Sequence, residues 1–398
     1  MAYLSGMVSS ILSTIFIIFT IATIGYLIGG IKVKGISLGT AGVLVVALIY
    51  GVFINYVPSF NFYGKPITLY NTETIKPLFN LISNIGTALF VTAVGLIAGP
   101  KFFRTFNKSS ISYIVIGFVV ILVGTLTALI IIWTTGSDPD LIVGLMTGAL
   151  TSTPGLAAAK EVAKDMDAVV AGYGIAYLYG VLGVVLFVQL MPRLLKIDID
   201  KETAKFTAVD SVSVKNTGRK YIQLDDFGFF PFFLAITLGV IIGSIKIPGI
   251  NFSLGTSGGA LVAGLIIAHF GHVGNIDCSV PKGTLNSLRE LGLVLFLIGA
   301  GVPGGINFVS HVRISYFIYG ILLTTIPMVA GYIIARYVFK LSIFNNLGSI
   351  TGGMTSTPAL GTLINVAKTD GVAGAYAATY PIALVTVVIA AKIMAILF

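Results

Sequence analysis

The chain has 398 residues, of which 56% are hydrophobic and 10% are charged, and its mean hydropathy is +1.00. This composition excludes an ordinary soluble domain and indicates an integral membrane protein with many spans in a lipid bilayer. The net charge is +9, and the Lys and Arg residues lie in short joints between apolar runs. They do not form a basic stripe interleaved with aromatic residues. This distribution therefore indicates membrane topology, and we expect no nucleic-acid partner.

Apolar runs follow one another along the chain, six in each half. The first has no basic region before it and no clear cleavage site after it, so we interpret it as a retained span. The runs fall at about 8–30, 38–57, 82–99, 110–133, 141–164, 168–191, 227–245, 254–271, 290–304, 314–339, 345–367 and 371–396. They predict a first membrane repeat at 1–191, a cytoplasmic linker at 192–226 and a second membrane repeat at 227–398.

Matching segments recur in the same order in both halves. IGGIKVKG in the first half matches IGSIKIPG in the second, and SLGTAG matches SLGTSG. The longest match joins GALTSTPGLAAAKEVAK, from Gly148, to GGMTSTPALGTLINVAK, from Gly352. Internal repeats of this kind in a polytopic protein indicate a transporter.

The fifth run of each half carries the polar tetrapeptide TSTP in its middle. As a helix, residues 141–150 would rise about 15 Å, which is half of a hydrocarbon core about 30 Å thick. Polar, non-helical backbone is tolerated at that depth only where protein or an aqueous cavity satisfies it. We therefore predict re-entrant hairpins at about 141–164 and 345–367, each with TSTP at its tip.

The distribution of basic residues supports this topology. With five full spans and one hairpin per half, and the N-terminus outside, about 17 Lys and Arg residues lie on the cytoplasmic side and about 7 outside. The predicted fold is an all-α polytopic membrane protein made of two inverted repeats. The first hairpin then enters from outside and the second from the cytoplasm.

Each TSTP motif reads as a helix start, with Thr153 and Thr357 as N-caps and Pro154 and Pro358 at the first helical position. The hydroxyls and the N–H groups that follow suit a carboxylate, and the hydroxyls could also coordinate sodium. A single Ser/Thr-Pro break is more often a kink or a cap, but two matched copies favour ligand contact. The predicted substrate-binding residues are Thr151, Ser152, Thr153, Pro154, Gly155, Thr355, Ser356, Thr357, Pro358, Ala359, Tyr177 and Tyr380.

A matched set of tyrosines follows each hairpin: Tyr173 and Tyr177 in the first half, Tyr376 and Tyr380 in the second. The four-residue spacing places each pair on one helical face. Two interpretations stay open for them, a contribution to the substrate site and an interfacial aromatic belt.

Other charged residues give weaker signals. Arg289 and Glu290 fit an interfacial pair better than a substrate clamp, and Lys160 and Lys164 fit a solvated or snorkelling role near the outer surface. All fifteen Asp and Glu residues fall in joints or at span ends, which argues against an intramembrane enzyme. We expect no cofactor and no metal site.

With its doubled G-x-x-T-S-T-P-x-L, the sequence resembles the aspartate:alanine exchanger family of bacterial and archaeal secondary transporters. The resemblance covers nearly the whole chain outside the linker and is carried by TGALTSTPGL, TGGMTSTPAL and the Tyr-rich stretch after each. The family's Tyr-Pro is present as Tyr380 and Pro381, whereas the first half has Tyr177 and Leu178. Members often carry cytoplasmic regulatory domains between the halves, where this sequence has only the short linker.

The resemblance implies exchange or export of small amino acids or C4-dicarboxylates across a prokaryotic cell membrane. The architecture is also similar to that of elevator transporters such as the divalent-anion/sodium symporters, so we expect alternating access and a homodimer. Two alternatives stay open: a sodium- or proton-coupled dicarboxylate symporter, and a channel with a duplicated pore.

Overall fold

The computed structural model describes residues 14–31, 39–62, 65–68, 72–102, 111–199, 202–203, 221–247, 252–306 and 308–398. The start of the first predicted run and most of the predicted linker lie outside these residues.

Helices make up most of the described structure, and each predicted apolar run overlaps at least one of them. In the first half they are α1 (Thr14–Gly30), α2 (Ala41–Tyr56), α3 (Thr72–Phe102), α4 (Ile111–Thr135), α5 (Pro139–Ala149), α6 (Thr153–Lys160) and α7 (Met166–Leu194). In the second half they are α8 (Phe229–Ser244), α9 (Gly255–Phe270), α10 (Lys282–Ile306), α11 (Phe308–His311), α12 (Ile314–Ile333), α13 (Ile343–Gly353), α14 (Thr357–Ala367) and α15 (Ala373–Leu397). A π-helical turn at Ile334–Val338 extends α12.

The lengths of these helices identify a multi-pass membrane protein. In the described part of the chain, six helices are long and apolar enough to cross a membrane: α3, α4, α7, α10, α12 and α15. The helices α1, α2, α8 and α9 are equally apolar but have only 16 or 17 residues. At about 1.5 Å per residue they reach about 25 Å, close to the thickness of a hydrocarbon core.

Short antiparallel strand pairs, which the sequence does not predict, connect some of the helices. Strands β1 (Ser59–Phe62) and β2 (Lys65–Thr68) follow α2, and β3 (Lys246–Ile247) pairs with β4 (Phe252–Ser253) before α9. After α9, β5 (His272–Val273) pairs with β6 (Ile276–Asp277). These pairs are too short to reveal themselves by alternation in the sequence.

The two halves pack through corresponding contacts. Helix α1 packs on α2 as α8 packs on α9, and α2 packs on α10 as α9 packs on α3. In the same way α5 packs on α7 as α13 packs on α15, and α6 packs on α15 as α14 packs on α7. We call α1–α3 and α8–α10 the scaffold helices, and α4–α7 and α12–α15 the hairpin domain. The largest buried apolar cluster includes residues of α5, α7, α13 and α15.

The chain of the first hairpin returns to the place where it started. The carboxylate of Asp138 accepts from the N–H groups of Asp140 and Leu141 and so caps α5. After α6, the N–H of Asp165 donates to Oδ2 of Asp140 at 2.7 Å. The start and the end of this segment are therefore adjacent, as a re-entrant hairpin requires.

Two glycines allow α3 and α10 to cross at backbone contact. A Cβ on Gly86 would lie 2.3 Å from the backbone N of Phe296, and a Cβ on Gly292 would lie 2.5 Å from the backbone N of Phe90. Gly86 of α3 lies against Phe296 of α10, and Phe90, which is later in α3, lies against Gly292, which is earlier in α10. The two helices are therefore antiparallel. Small residues commonly permit such close approach between membrane helices.

We expect Gly86→Ala to destabilise the protein, because the added methyl group must push two backbones apart. Overpacking of this kind costs about 1–3 kcal/mol. The control is Gly361→Ala in α14, where an added Cβ meets no atom within 4 Å and Ala favours the helix. Thermal unfolding of the purified variants should show a lower Tm for Gly86→Ala alone, and equal Tm values would contradict the crossing.

Candidate functional site

The two TSTP segments reverse the chain in the same way. Thr151 has φ +52° and Thr355 has φ +51°, a left-handed conformation that is unusual for a β-branched residue. The N–H of Ser152 donates to the carbonyl of Thr147 at 2.8 Å, and the N–H of Ser356 donates to the carbonyl of Thr351 at 3.0 Å. Each first helix therefore ends in a closed turn directly before the second begins.

The two tips are joined by a reciprocal pair of hydrogen bonds. Oγ1 of Thr151 donates to the carbonyl of Met354 at 2.8 Å, and Oγ1 of Thr355 donates to the carbonyl of Leu150 at 3.0 Å. Both threonines are buried. The donor capacity of these two hydroxyls is therefore used between the tips.

In the first hairpin the cap lies one residue earlier than predicted. Ser152 has an extended backbone, and its Oγ accepts from the N–H of Gly155 at 3.2 Å, so Ser152 caps α6. The prediction that Thr153 is the N-cap is wrong, because Thr153 is already the first helical residue and Pro154 the second. The N–H of Gly155, one of the N–H groups predicted to suit a carboxylate, is occupied by this cap.

The second hairpin differs in one hydrogen bond. Ser356 has the same extended backbone at the start of α14, so it takes the cap position predicted for Thr357, and Pro358 is again the second helical residue. Its Oγ makes no cap bond, is buried, and has no hydrogen-bond partner among the described residues. The N–H of Ala359 therefore lacks the cap bond that its counterpart in α6 has.

One tyrosine of each pair lies within hydrogen-bond distance of the threonine that was predicted as the N-cap. Oγ1 of Thr153 lies 3.0 Å from the hydroxyl of Tyr173, and the ring of Tyr173 lies 5.0 Å from that of Tyr177. In the second half, Thr357 pairs with Tyr376 at 3.4 Å, and the ring of Tyr376 stacks on Tyr380 at 5.2 Å. The predicted placement of each tyrosine pair on one helical face is confirmed.

A cavity of about 350 Å³, which we call the tip cavity, lies between the tips and the scaffold helices. Small-molecule sites typically occupy about 300–1,000 Å³. Eight of the twelve predicted site residues line it: Thr151, Thr153, Pro154, Tyr177, Thr355, Thr357, Pro358 and Tyr380. The other four, Ser152, Gly155, Ser356 and Ala359, are not among its lining residues.

The cavity also has charged and polar residues that the sequence reasoning assigned elsewhere. Arg289 and Glu290 both line it, whereas the sequence favoured an interfacial pair over a substrate clamp. The carboxylate of Glu290 accepts from the hydroxyl of Tyr26 at 3.0 Å and from Oγ1 of Thr40. Arg289 has no ion-pair partner in the described part of the chain. The two charges stand directly at the start of the apolar run at 290–304, and this position is the signal that could have identified them.

The two hairpins differ in exposure. Every residue of α6 up to Ala159 is buried, and α6 contacts the scaffold helices α3 and α9. In α14, Thr357 and Pro358 are exposed, and this helix packs on α7 and α13. The tip cavity is thus bounded on one side by a buried hairpin arm and on the other by an exposed one.

Charged residues also lie at the base of the first hairpin, where they connect α6 to the helices α3, α9 and α15. Oε1 of Glu161 accepts from the N–H of Ser257 at 2.6 Å, and its Oε2 pairs with Nζ of the buried Lys392 at 2.9 Å. Nζ of Lys160 donates to Oγ of Ser83 at 2.9 Å. The expected solvated role of Lys160 is therefore wrong, whereas Lys164 is exposed.

Possible metal ligands do not cluster in the described part of the chain. The structure shows no group of three or more His, Cys, Asp and Glu residues there that could hold an ion. His311 instead lies 3.5 Å from a carboxylate oxygen of Asp165.

A multi-pass helical bundle with a charged cavity between two broken helices defines a membrane transporter. Residues 16–193 and 231–396 match the family model Asp-Al_Ex, described as a predicted permease membrane region. The chain therefore belongs to this family, and the resemblance found in the sequence is confirmed.

Proteins similar to the chain come from several bacteria. An uncharacterized transporter of Bacteroides fragilis is 27% identical over 96% of this chain and 98% of its own length. An uncharacterized transporter of Desulfotalea psychrophila is 25% identical over 96% of each, and a putative transport protein of Klebsiella pneumoniae is 22% identical over 98% of this chain and 99% of its own. The alignment with the Bacteroides fragilis protein covers 543 positions. That protein therefore has residues that have no counterpart among the 398 of this chain.

We expect Thr355→Val to lower the stability of the protein, because it removes the donor to the carbonyl of Leu150 while it keeps the shape of the side chain. Leaving a buried polar group without its partner costs about 1–3 kcal/mol. Thr355→Ser keeps the hydroxyl and is the matched control. If thermal unfolding shows the Val and Ser variants to be equally stable, the bond between the tips contributes nothing.

We expect Lys392→Met to be destabilising, since it leaves the Glu161 carboxylate without its cation. The loss should fall below the about 3–5 kcal/mol of a fully buried pair, because the Glu161 side chain is still 22% exposed. The double variant Glu161→Gln, Lys392→Met should regain much of the stability. A double variant whose Tm is as low as that of Lys392→Met would argue against the pair.

Proposed function

We propose that the protein is a secondary active transporter that exchanges or exports small amino acids or C4-dicarboxylates such as aspartate, alanine or succinate. The observation that carries this proposal is the tip cavity, which both tips line together with Arg289 and Glu290. A guanidinium binds a carboxylate in bidentate geometry, and a carboxylate can accept from an ammonium group. One cation next to one anion favours an amino acid over a dicarboxylate.

Neutral groups of the cavity would complete the recognition of such a substrate. Thr153 and Thr357 bring hydroxyls from the first turns of α6 and α14, and Tyr177 and Tyr380 bring phenols from the helices that follow. The N-termini of α6 and α14 add partial positive charge near the cavity. This set of groups can bind a carboxylate without a metal ion.

The transport step we propose is alternating access of elevator type between two inverted repeats. The hairpin domain would carry the substrate against static scaffold helices, which would also form a homodimer interface. The corresponding contacts of the two halves and the different exposure of α6 and α14 support this step. We place the N-terminus outside a prokaryotic cell membrane, so that the exposed second hairpin would face the cytoplasm and the tip cavity would open to that side.

The purified protein in liposomes tests this function. Vesicles are preloaded with aspartate, alanine or succinate, and entry of the same labelled compound is followed with and without sodium and proton gradients. Saturable counterflow without a gradient is the expected result for an exchanger. Transport that requires an inward sodium or proton gradient would indicate a symporter, and flux that neither saturates nor accelerates with internal substrate would indicate a channel; either would contradict the proposal.

We expect Arg289→Gln to raise the half-saturation concentration for the transported substrate at least tenfold. Hydrogen bonds to charged groups contribute about 1.5–3 kcal/mol, and about 1.4 kcal/mol corresponds to one decade. Lys282→Gln, which removes an exposed charge from the same helix, is the matched control. Counterflow measured over a range of substrate concentrations decides, and unchanged half-saturation in Arg289→Gln would remove this residue from the site.

A further inference from the structure

A second cavity of about 350 Å³ lies at the base of the first hairpin, between α3, α6 and α10; we call it the base cavity. None of the TSTP residues lines it. Its lining is mostly polar: Asn80, Ser83, Asn84, Thr87, Ala157, Lys160, Glu161, Met166, Thr256 and Phe296.

The positive charge of the base cavity comes from Lys160. Its ammonium group donates to Ser83 and lies 5.8 Å from the ring centre of Phe296, and no carboxylate within ion-pair distance accepts from it in the described part of the chain. The nearby carboxylates are engaged elsewhere, Glu161 with Lys392 and Asp167 with Lys76. A cation inside a membrane protein normally has a partner, so the cavity is suited to an anion.

The face of α3 that lines the base cavity offers hydrogen-bond donors from Asn80, Ser83 and Asn84, whereas the hydroxyl of Thr87 donates to the carbonyl of Ser83. Asn80 lies four residues before Asn84, and Ser83 lies four residues before Thr87; the two pairs are offset by three residues, which places all four on one face of α3. Amide and hydroxyl groups can donate to the oxygens of a carboxylate. Together with the ammonium group they form a polar set of the kind that binds a small carboxylate.

The two cavities occupy corresponding places in the two halves. When the sequences of α3 and α10 are aligned so that Gly86 matches Gly292, Ser83 corresponds to Arg289 and Asn84 corresponds to Glu290. Both members of each pair line a cavity, the first the base cavity and the second the tip cavity.

The correspondence extends to the other scaffold helices and to the direction in which each cavity lies. The threonines of the two SLGT segments, Thr256 and Thr40, line the base cavity and the tip cavity respectively. Because α3 and α10 are antiparallel, the two cavities lie toward opposite ends of this helix pair. One therefore lies toward each face of the membrane.

We propose that the base cavity is a second binding site for the carboxylate of the substrate, with Lys160 in the role that Arg289 has in the tip cavity. The proposal rests on the proposed transport function and extends it. The base cavity would receive substrate from the membrane face opposite to that served by the tip cavity. Each cavity would set the substrate affinity on its own face.

The experiment compares substrate affinity on the two faces of the membrane. Labelled aspartate, alanine and succinate are followed in intact cells and in everted membrane vesicles that contain the wild type, Lys160→Gln, Arg289→Gln or Lys164→Gln. Lys164 is the matched control, since it is exposed on the same hairpin and its removal changes the net charge equally. Lys160→Arg, which keeps the charge, should remain close to the wild type.

We expect Lys160→Gln to raise the half-saturation concentration about tenfold on one face and Arg289→Gln to do so on the other, with Lys164→Gln unchanged. If Lys160→Gln fails to fold, Asn84→Ala should give the same one-sided change with a smaller magnitude. No counterflow by the wild type would overturn the transport function and this site with it. Wild-type counterflow with unaltered half-saturation on both faces for Lys160→Gln, or for Asn84→Ala in its place, would overturn the second site alone.

Discussion

The structure depends on the reciprocal hydrogen bonds between the two hairpin tips. Each donor hydroxyl belongs to a threonine in the left-handed conformation, and each acceptor is a carbonyl of the facing tip. A carbonyl released from a helix end in the middle of a membrane has no water to bond and must find a protein donor. The first threonine of each TSTP supplies that donor to the other half of the chain. The pairing therefore satisfies two helix ends and brings both motifs to one cavity.

Use of these hydroxyls between the tips changes which residues are available to a ligand. The serines of TSTP do not line the cavity: Ser152 caps α6, and Ser356 has no hydrogen-bond partner in the part of the chain that the structure describes. The second threonine of each motif lines the cavity beside a tyrosine. The charged groups come from a scaffold helix, so the hairpins supply shape and neutral polar groups while α10 supplies Arg289 and Glu290. A substrate in the tip cavity would contact both the hairpin domain and the scaffold helices.

The charged groups at the boundary between the scaffold and the hairpin domain are distributed unequally. At the base of the first hairpin, Lys160 and Glu161 reach across to Ser83 and Ser257 of the scaffold, and these bonds hold α6 against it. The corresponding positions of the second hairpin are Ile364 and Asn365, neither of which carries a charge. This difference accompanies the burial of α6 and the exposure of α14. Because of this difference in charge, the two halves of the duplicated chain make different contacts within one conformation.

The sequence by itself determined the membrane class, the duplication, the two broken helices and eight of the residues on the cavity wall. These features follow from local properties of the sequence: the length of the apolar runs, the recurrence of matching segments, and the interruption of a helix at Ser/Thr-Pro. The tertiary structure alone decided that Arg289, Glu290 and Lys160 line cavities. A charge near the end of a span can face water, lipid or a cavity, and helices some two hundred residues away in the chain decide which. The N-cap is Ser152 and not the predicted Thr153 for a related reason. The hydroxyl of Thr151 is bonded to the facing tip and that of Thr153 to Tyr173, whereas Ser152 accepts from the N–H of Gly155.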